Sequence, residues 1–127
     1  MIVRLPWPDS KLMPNKAKGR AWAGLARIRT EQKEAAALCT MAALQTTGQQ
    51  KWDGNIPLSL VYMAPDKRHR DLDNLLAASK SIIDGMAMAL GVDDSRFKPI
   101  LVDSVAIGGE GCLMAAIGIT IVSGVSL

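Results

Sequence analysis

Histidine occurs once in this chain, at His69, and cysteine twice, at Cys39 and Cys112, with no CxxC pair. A zinc site of the usual Cys and His ligands is therefore excluded, as is a dense disulfide framework, and the two thiols suit a reducing cytosol. The N-terminus lacks the charged-then-apolar pattern of a signal peptide, because Pro6, Asp9 and Lys11 interrupt it. The apolar run from Leu113 to Val122 is far shorter than the ~20 residues of a membrane-spanning helix. No membrane association and a cytoplasmic location are expected. The glycines at 108–111 are not followed by GK[ST], so there is no P-loop and no nucleotide cofactor is implied. Nor is DLDNLL an EF-hand, since Leu75 and Leu76 stand where that loop needs a ligand and a glycine.

What is present is one domain's worth of apolar residues. With 127 residues, 49% of them hydrophobic, the chain can bury one core, and residues 1–127 are read as a single domain. The net charge of +3 is modest, but its distribution is uneven. Residues 1–30 hold seven Lys or Arg against the single acid Asp9, while the last 29 residues hold none. A protein with one phosphate-facing surface shows such asymmetry; a solvated basic arm shows it equally.

Along the chain, Ile2 to Leu5 is a short strand ended by Pro6 and Pro8, and Asp9 to Gly19 a basic loop punctuated by Pro14. Residues 30–47 are rich in Ala, Glu, Gln and Lys, with Ala35, Leu38, Cys39 and Ala42 at helical spacing and Gly48 as a stop. Residues 56–63 alternate as a strand, with Ile56, Leu58, Leu60 and Tyr62 on one side. A patterned helix follows, carrying Leu72, Leu75, Leu76, Ile82, Ile83, Met86 and Leu90 on one face and ending at Gly91. Residues 100–107 and 112–122 are two strands, with glycines between them suited to a hairpin. The expectation is an α+β fold, a mixed sheet of about four strands with two main helices in the order β-α-β-α-β-β.

Chemistry concentrates around that second helix. Asp71 and Asp73 stand at its start, directly after Lys67, Arg68, His69 and Arg70, and Asp93 and Asp94 stand just beyond its end. Carboxylates without a Cys or His cluster favour a hard cation, Mg²⁺ or Mn²⁺, which suits phosphodiester hydrolysis, and the basic cluster could bind the phosphate. The plainer alternative is an N-cap and first-turn acid, worth ~0.3–1 kcal/mol through the helix dipole. A straight helix from residue 73 to 90 is ~26 Å long, so Asp94 joins such a site only if the chain returns or a partner subunit supplies it. His69 reads most simply as part of the basic face. Asn74 either orients Asp73 or faces solvent. Trp7, Trp22 and Trp52 are candidates for base stacking, with buried packing the commoner fate.

HRDLDNLL followed by KSIIDGMAMALGVDDS, together with the opening LPWPDSKLMPNKAKGR, resembles the RusA family of Holliday-junction resolvases, especially its phage and prophage members. The resemblance spans roughly residues 2–20 and 58–105. It implies a homodimeric, Mg²⁺-dependent endonuclease that binds four-way DNA junctions and makes paired nicks in recombination and repair, with three aspartates and a lysine essential. Carried over by motif, the aspartates are Asp71, Asp73 and Asp94, with Asp93 the alternative to Asp94. From the DxD side the lysine position falls on Ala77. From the IIDG side it falls on Lys80, one helical turn further, and Lys80 is taken as the lysine. Its other role would be an i,i+4 pair with Asp84, worth ~0.3–0.5 kcal/mol. Asn15, Lys16, Lys18 and Arg20 become DNA contacts by the same resemblance, beside Lys67, Arg68, His69 and Arg70.

Two other classes compete. A non-catalytic, junction-binding architectural protein would keep the basic segment but lose nothing on replacing Asp71 or Asp73. A different Mg²⁺-dependent phosphoryl-transfer enzyme would act on nucleotides rather than branched DNA; the missing nucleotide loop argues against it.

Overall fold

Successive side chains of a strand point to opposite faces, and residues 56–64 largely obey this: Ile56, Leu58, Leu60 and Tyr62 are each at most 1% exposed, while Pro57, Val61 and Met63 are half-buried and Ser59, whose hydroxyl donates to the Ile119 carbonyl, is buried on their side. The computed structural model describes residues 1–17 and 22–119. Strand β1 (Ile2–Pro6), a 3-10 turn (Ser10–Leu12) and the one-turn helix α1 (Pro14–Ala17) lead to the long helix α2 (Trp22–Thr47). Strand β2 (Ile56–Ala64), helices α3 (Leu72–Ala78) and α4 (Lys80–Leu90), and strands β3 (Phe97–Ala106) and β4 (Cys112–Ile117) follow. The fold is α+β with a mixed four-stranded sheet in the order β1-β4-β2-β3, in which only β2 and β3 run parallel. No described helix is long and apolar enough to cross a membrane.

The expected hairpin between the last two strands does not form. Strand β3 pairs with one edge of β2, β4 with the other, and residues 107–111 cross the end of β2, where the Ile107 N–H donates to the Ala64 carbonyl at 2.9 Å. The reason is the α3–α4 crossover, which returns the chain parallel to β2 and leaves the antiparallel edge for β4. The crossing also packs against Trp7: a Cβ on Gly111 would lie 2.9 Å from its ring.

Helix α2 begins at Trp22, a full two turns before the position its composition predicted. Its buried face is Ala36, Ala37, Thr40 and Leu44; Leu38 is 66% exposed, and Ala42 is also in solvent. Small residues win the interface because α4 approaches very closely. A Cβ on Gly85 would lie 2.2 Å from the Lys33 carbonyl oxygen and 2.9 Å from the Ala36 Cβ.

The single amphipathic helix expected from residue 72 to 90 is broken at Ser79, whose backbone sits at φ −95°, ψ 4°. The Ser79 hydroxyl donates to the Leu75 carbonyl at 2.7 Å, and the Ser79 N–H turns to the Leu76 carbonyl instead. A serine bonding back into its own helix in this way bends it. The same hydroxyl lies 2.9 Å from that of Tyr62. With the serine hydrogen committed to Leu75, the phenol is the donor. Apolar positions nevertheless face one way: Leu75, Ile82, Ile83 and Met86 are buried, with Leu72, Leu76 and Leu90 packed at the margin.

All three larger helices lie on one face of the sheet. Val3, Leu5, Leu58, Leu60, Tyr62, Leu113 and Ala115 form one core with Ala36, Ile82, Ile83 and Met86, and among the described residues none of the opposite strand alternation joins it.

Candidate functional site

Asp71 occupies the N-cap position of α3, at φ −75° and ψ 129°, yet its carboxylate makes no capping hydrogen bond. Instead it meets the His69 Nε2 at 3.0 Å and remains largely exposed. The capping role that would explain an aspartate here is therefore not the one it performs. Asp73, exposed in the first helical turn, accepts the Asn74 backbone N–H at 3.0 Å. The Asn74 backbone, rather than its side chain, is thus what touches Asp73.

A groove of about 420 Å³ runs beside this helix start, and Lys16, Arg68, His69, Asp71 and Asn74 line it together with Trp7. The fold thereby brings part of the basic N-terminal segment to the basic turn that precedes Asp71. Lys18 and Arg20 lie outside the described residues, as do the side chains of Asn15 and Trp22. Lys67, Arg68 and His69 are exposed. Arg70 is different. Its side chain is only 14% exposed, its guanidinium pairs with Asp66 at 3.0 Å and lies 5.4 Å over the Trp7 ring, and Trp7 in turn stands edge-on to Tyr62. Asp66, which also accepts the Arg68 backbone N–H, is held below the usual carboxylate range first by that bond and then by Arg70. Arg70 therefore braces the turn from which the other basic residues project. Its signal was the i,i+4 spacing from Asp66.

At the far end of the second helix, Gly91 adopts the left-handed conformation (φ 71°), and the Val92 N–H reaches back to the Ala87 carbonyl at 3.0 Å. This helix stop reverses the chain. Arg96 then anchors it, donating to the backbone carbonyls of Gly54, at 2.9 Å, and Trp52. The two neighbouring aspartates take separate roles. Asp93 caps the following 3-10 turn through the Ser95 N–H at 2.8 Å, and Ser95, first through its side chain and then through this N–H, holds the carboxyl below its ordinary value. Asp94 forms an ion pair with Lys80, whose ammonium also contacts Asp84 at 2.8 Å. Asp84 first and Asp94 second raise the Lys80 pKa, so this group stays cationic at neutral pH and somewhat above.

The chain thus returns Asp94 along α4 to Lys80. Among the described residues, no three His, Cys, Asp or Glu side chains come close enough together to hold one ion. The donor chemistry fits a hard cation held by one or two carboxylates, with Asp71 and Asp73 as the exposed pair, since Mg²⁺ commonly takes its other oxygens from phosphate and water. Within one chain, Asp94 does not join Asp71 and Asp73 in a three-ligand cluster among the described residues.

An uncharacterized protein of Xylella fastidiosa (strain Temecula1) is 30% identical to this chain over 110 residues, 85% of this chain and 71% of the other. The chain belongs to that protein's family. No family model matches it.

Proposed function

We propose that this protein is a Mg²⁺-dependent, structure-selective endonuclease of the RusA type, acting as a homodimer on four-way DNA junctions. The observation that carries the reading is the Lys80–Asp94 ion pair. These two residues, 14 apart in sequence, are the lysine and third aspartate that the resemblance singles out, and they meet beside α4, the helix that follows α3 with its Asp71 and Asp73. Further support comes from the groove where Lys16, Arg68 and His69 surround Asp71.

In this reading Lys16, Arg68 and His69 hold the phosphodiester against the groove, and Lys67 adds charge at its rim. Asp71 and Asp73 would hold the metal, which when bound polarises the phosphoryl oxygen and acidifies its water. Lys80, kept protonated between Asp84 and Asp94, supplies positive charge towards which the leaving oxygen can develop. Arg70 keeps the basic turn in place.

The test is nicking of a labelled four-way junction and of linear duplex, in Mg²⁺ or EDTA. Wild type should make paired nicks in the junction only with Mg²⁺; Asp73→Asn and Lys80→Met should lower the rate by about 10²–10³-fold while still binding the junction. Tight binding without cleavage by any of the three would overturn the enzyme reading and favour an architectural junction binder.

A further inference from the structure

We propose that Ser79, held by Tyr62, is a positioning residue: the helix break it makes fixes where Lys80 stands relative to the groove at Asp71. The consequence for cleavage rests on the nuclease reading above, whereas the joint itself rests on packing alone.

The candidate residues fall into two groups, one on each side of the break. Asp71 and Asp73 start α3 beside the basic turn and its groove. Lys80 opens α4, and its two partners belong with that helix: Asp84 lies one turn along it, and Asp94 follows the left-handed Gly91 that ends it. Helix α4 is in turn seated closely on α2 through Gly85. Ser79 alone stands between α3 and α4, so its backbone sets the angle between the two groups.

Spacing shows what that angle does. The resemblance puts the lysine at Ala77 when counted from the aspartates and at Lys80, three residues on, when counted from IIDG. In an unbroken helix Asp73, Ala77 and Lys80 share a face, at i, i+4 and i+7, but the later position stands ~4.5 Å further along the axis. A change of axis direction immediately before Lys80 re-aims the displaced side chain while leaving its spacing to Asp84, and the core face of Ile82, Ile83 and Met86, as they are.

The ordinary reason for a serine here does not apply. Ser79 occupies the N-cap position of α4 yet makes no side-chain capping hydrogen bond. Its hydroxyl instead donates to the Leu75 carbonyl, the acceptor that the N–H of residue 79 would use if the helix ran on, and that N–H is displaced to the Leu76 carbonyl at 3.0 Å. The side chain is fully buried, and the Tyr62 hydroxyl bonded to it holds it in place. Tyr62 also stands edge-on to Trp7, ring centres 6.1 Å apart, and Trp7 lines the groove. One phenol therefore touches both groups, the joint through Ser79 and the groove through Trp7. Without the serine hydroxyl, the N–H of residue 79 takes the Leu75 carbonyl, the helix straightens, and the angle between the groups changes.

Three variants separate positioning from stability: Ser79→Ala removes the bond to Leu75, Ser79→Thr keeps it, and Tyr62→Phe keeps it but removes its outer support. Single-turnover nicking of the four-way junction in Mg²⁺ is measured beside junction affinity in EDTA, with melting curves to confirm folding. Ser79→Ala should nick about 10–100-fold more slowly than wild type at unchanged affinity; Ser79→Thr should recover most of the rate, and Tyr62→Phe should fall between. In the same proteins, NMR Cα shifts report whether the helix runs through residue 79, and the Lys80 Nζ signal reports its ion pair with Asp94. Both should change in Ser79→Ala and persist in Ser79→Thr. A Ser79→Ala protein that nicks as fast as wild type, or whose rate falls only in step with its affinity, overturns the proposal. So do Cα and Nζ signals that match wild type. If Ser79→Ala does not fold, Tyr62→Phe decides by the same readings. If wild type itself does not nick, the nuclease reading fails, and the two NMR signals still decide whether Ser79 sets the joint.

Discussion

At the scale of single residues, the site is organised by partners rather than by identity. Four basic residues precede Asp71, yet Arg70 turns inward to Asp66 and Trp7 while its neighbours stay in solvent. Two adjacent aspartates differ likewise, Asp93 capping a turn and Asp94 meeting Lys80. Tyr62 shows the same principle inside the core, where burial pushes its phenol up to about 12. Unfolded, the phenol titrates near pH 10. Between those values the unfolded chain has lost a proton that the native protein retains, so stability must fall as pH rises, by ~2–3 kcal/mol in total. Urea denaturation from pH 8 to pH 11.5 should show that decline, and Tyr62→Phe should flatten it while losing ~1 kcal/mol at neutral pH with the Ser79 hydrogen bond. An equally steep decline in Tyr62→Phe would mean that another group governs the alkaline limit.

At the scale of elements, close approach matters more than hydrophobicity. Helix α2 was legible in composition, but its buried face was not, because Leu38 is the obvious apolar candidate and yet points to solvent. The contact is decided by Gly85 and Ala36, which let two backbones come together. Gly85→Ala removes a helix-weakening glycine, a gain of ~1 kcal/mol, but must push the Lys33 carbonyl aside, which costs more: overpacking typically destabilises by ~1–3 kcal/mol. The expected outcome is a net loss of stability in thermal or urea unfolding. A variant at least as stable as wild type would show that α2 and α4 can separate freely. The helix break at Ser79 was equally invisible, since serine in a helix bends it only when its hydroxyl bonds back, and here a residue 17 positions away, Tyr62, joins that hydroxyl.

At the scale of the whole molecule, Lys16 of the basic N-terminal segment and the Arg68 turn come together around one groove. On the nuclease reading that convergence makes binding salt-dependent. Arg68→Ala should weaken junction binding and lower the slope of log affinity against log salt by about 1, with unchanged thermal stability. Arg70→Ala should do the reverse, losing ~1–2 kcal/mol of stability with its ion pair and its place over Trp7. Salt titrations and melting curves on the two variants separate phosphate contact from structural bracing; identical behaviour would refute the division.

Much of this was determined by sequence alone. Period-two alternation at 56–63, helical periodicity at 72–90 and the glycine at 91 are local patterns, governed by backbone geometry and side-chain burial. They sufficed for the α+β class and the order of the main elements, whereas Asp71, Asp73, Lys80 and Asp94 were singled out by the motifs that carry the family resemblance. Tertiary structure alone decided which strands pair: the two last strands look like a hairpin until β2 is available between them, since antiparallel neighbours in sequence compete with a better-buried central strand. Tertiary structure also decided that Asp94 meets Lys80, because that depends on where a reversed chain lands along a helix. Distances between residues far apart in sequence are set by packing, and no local pattern encodes them.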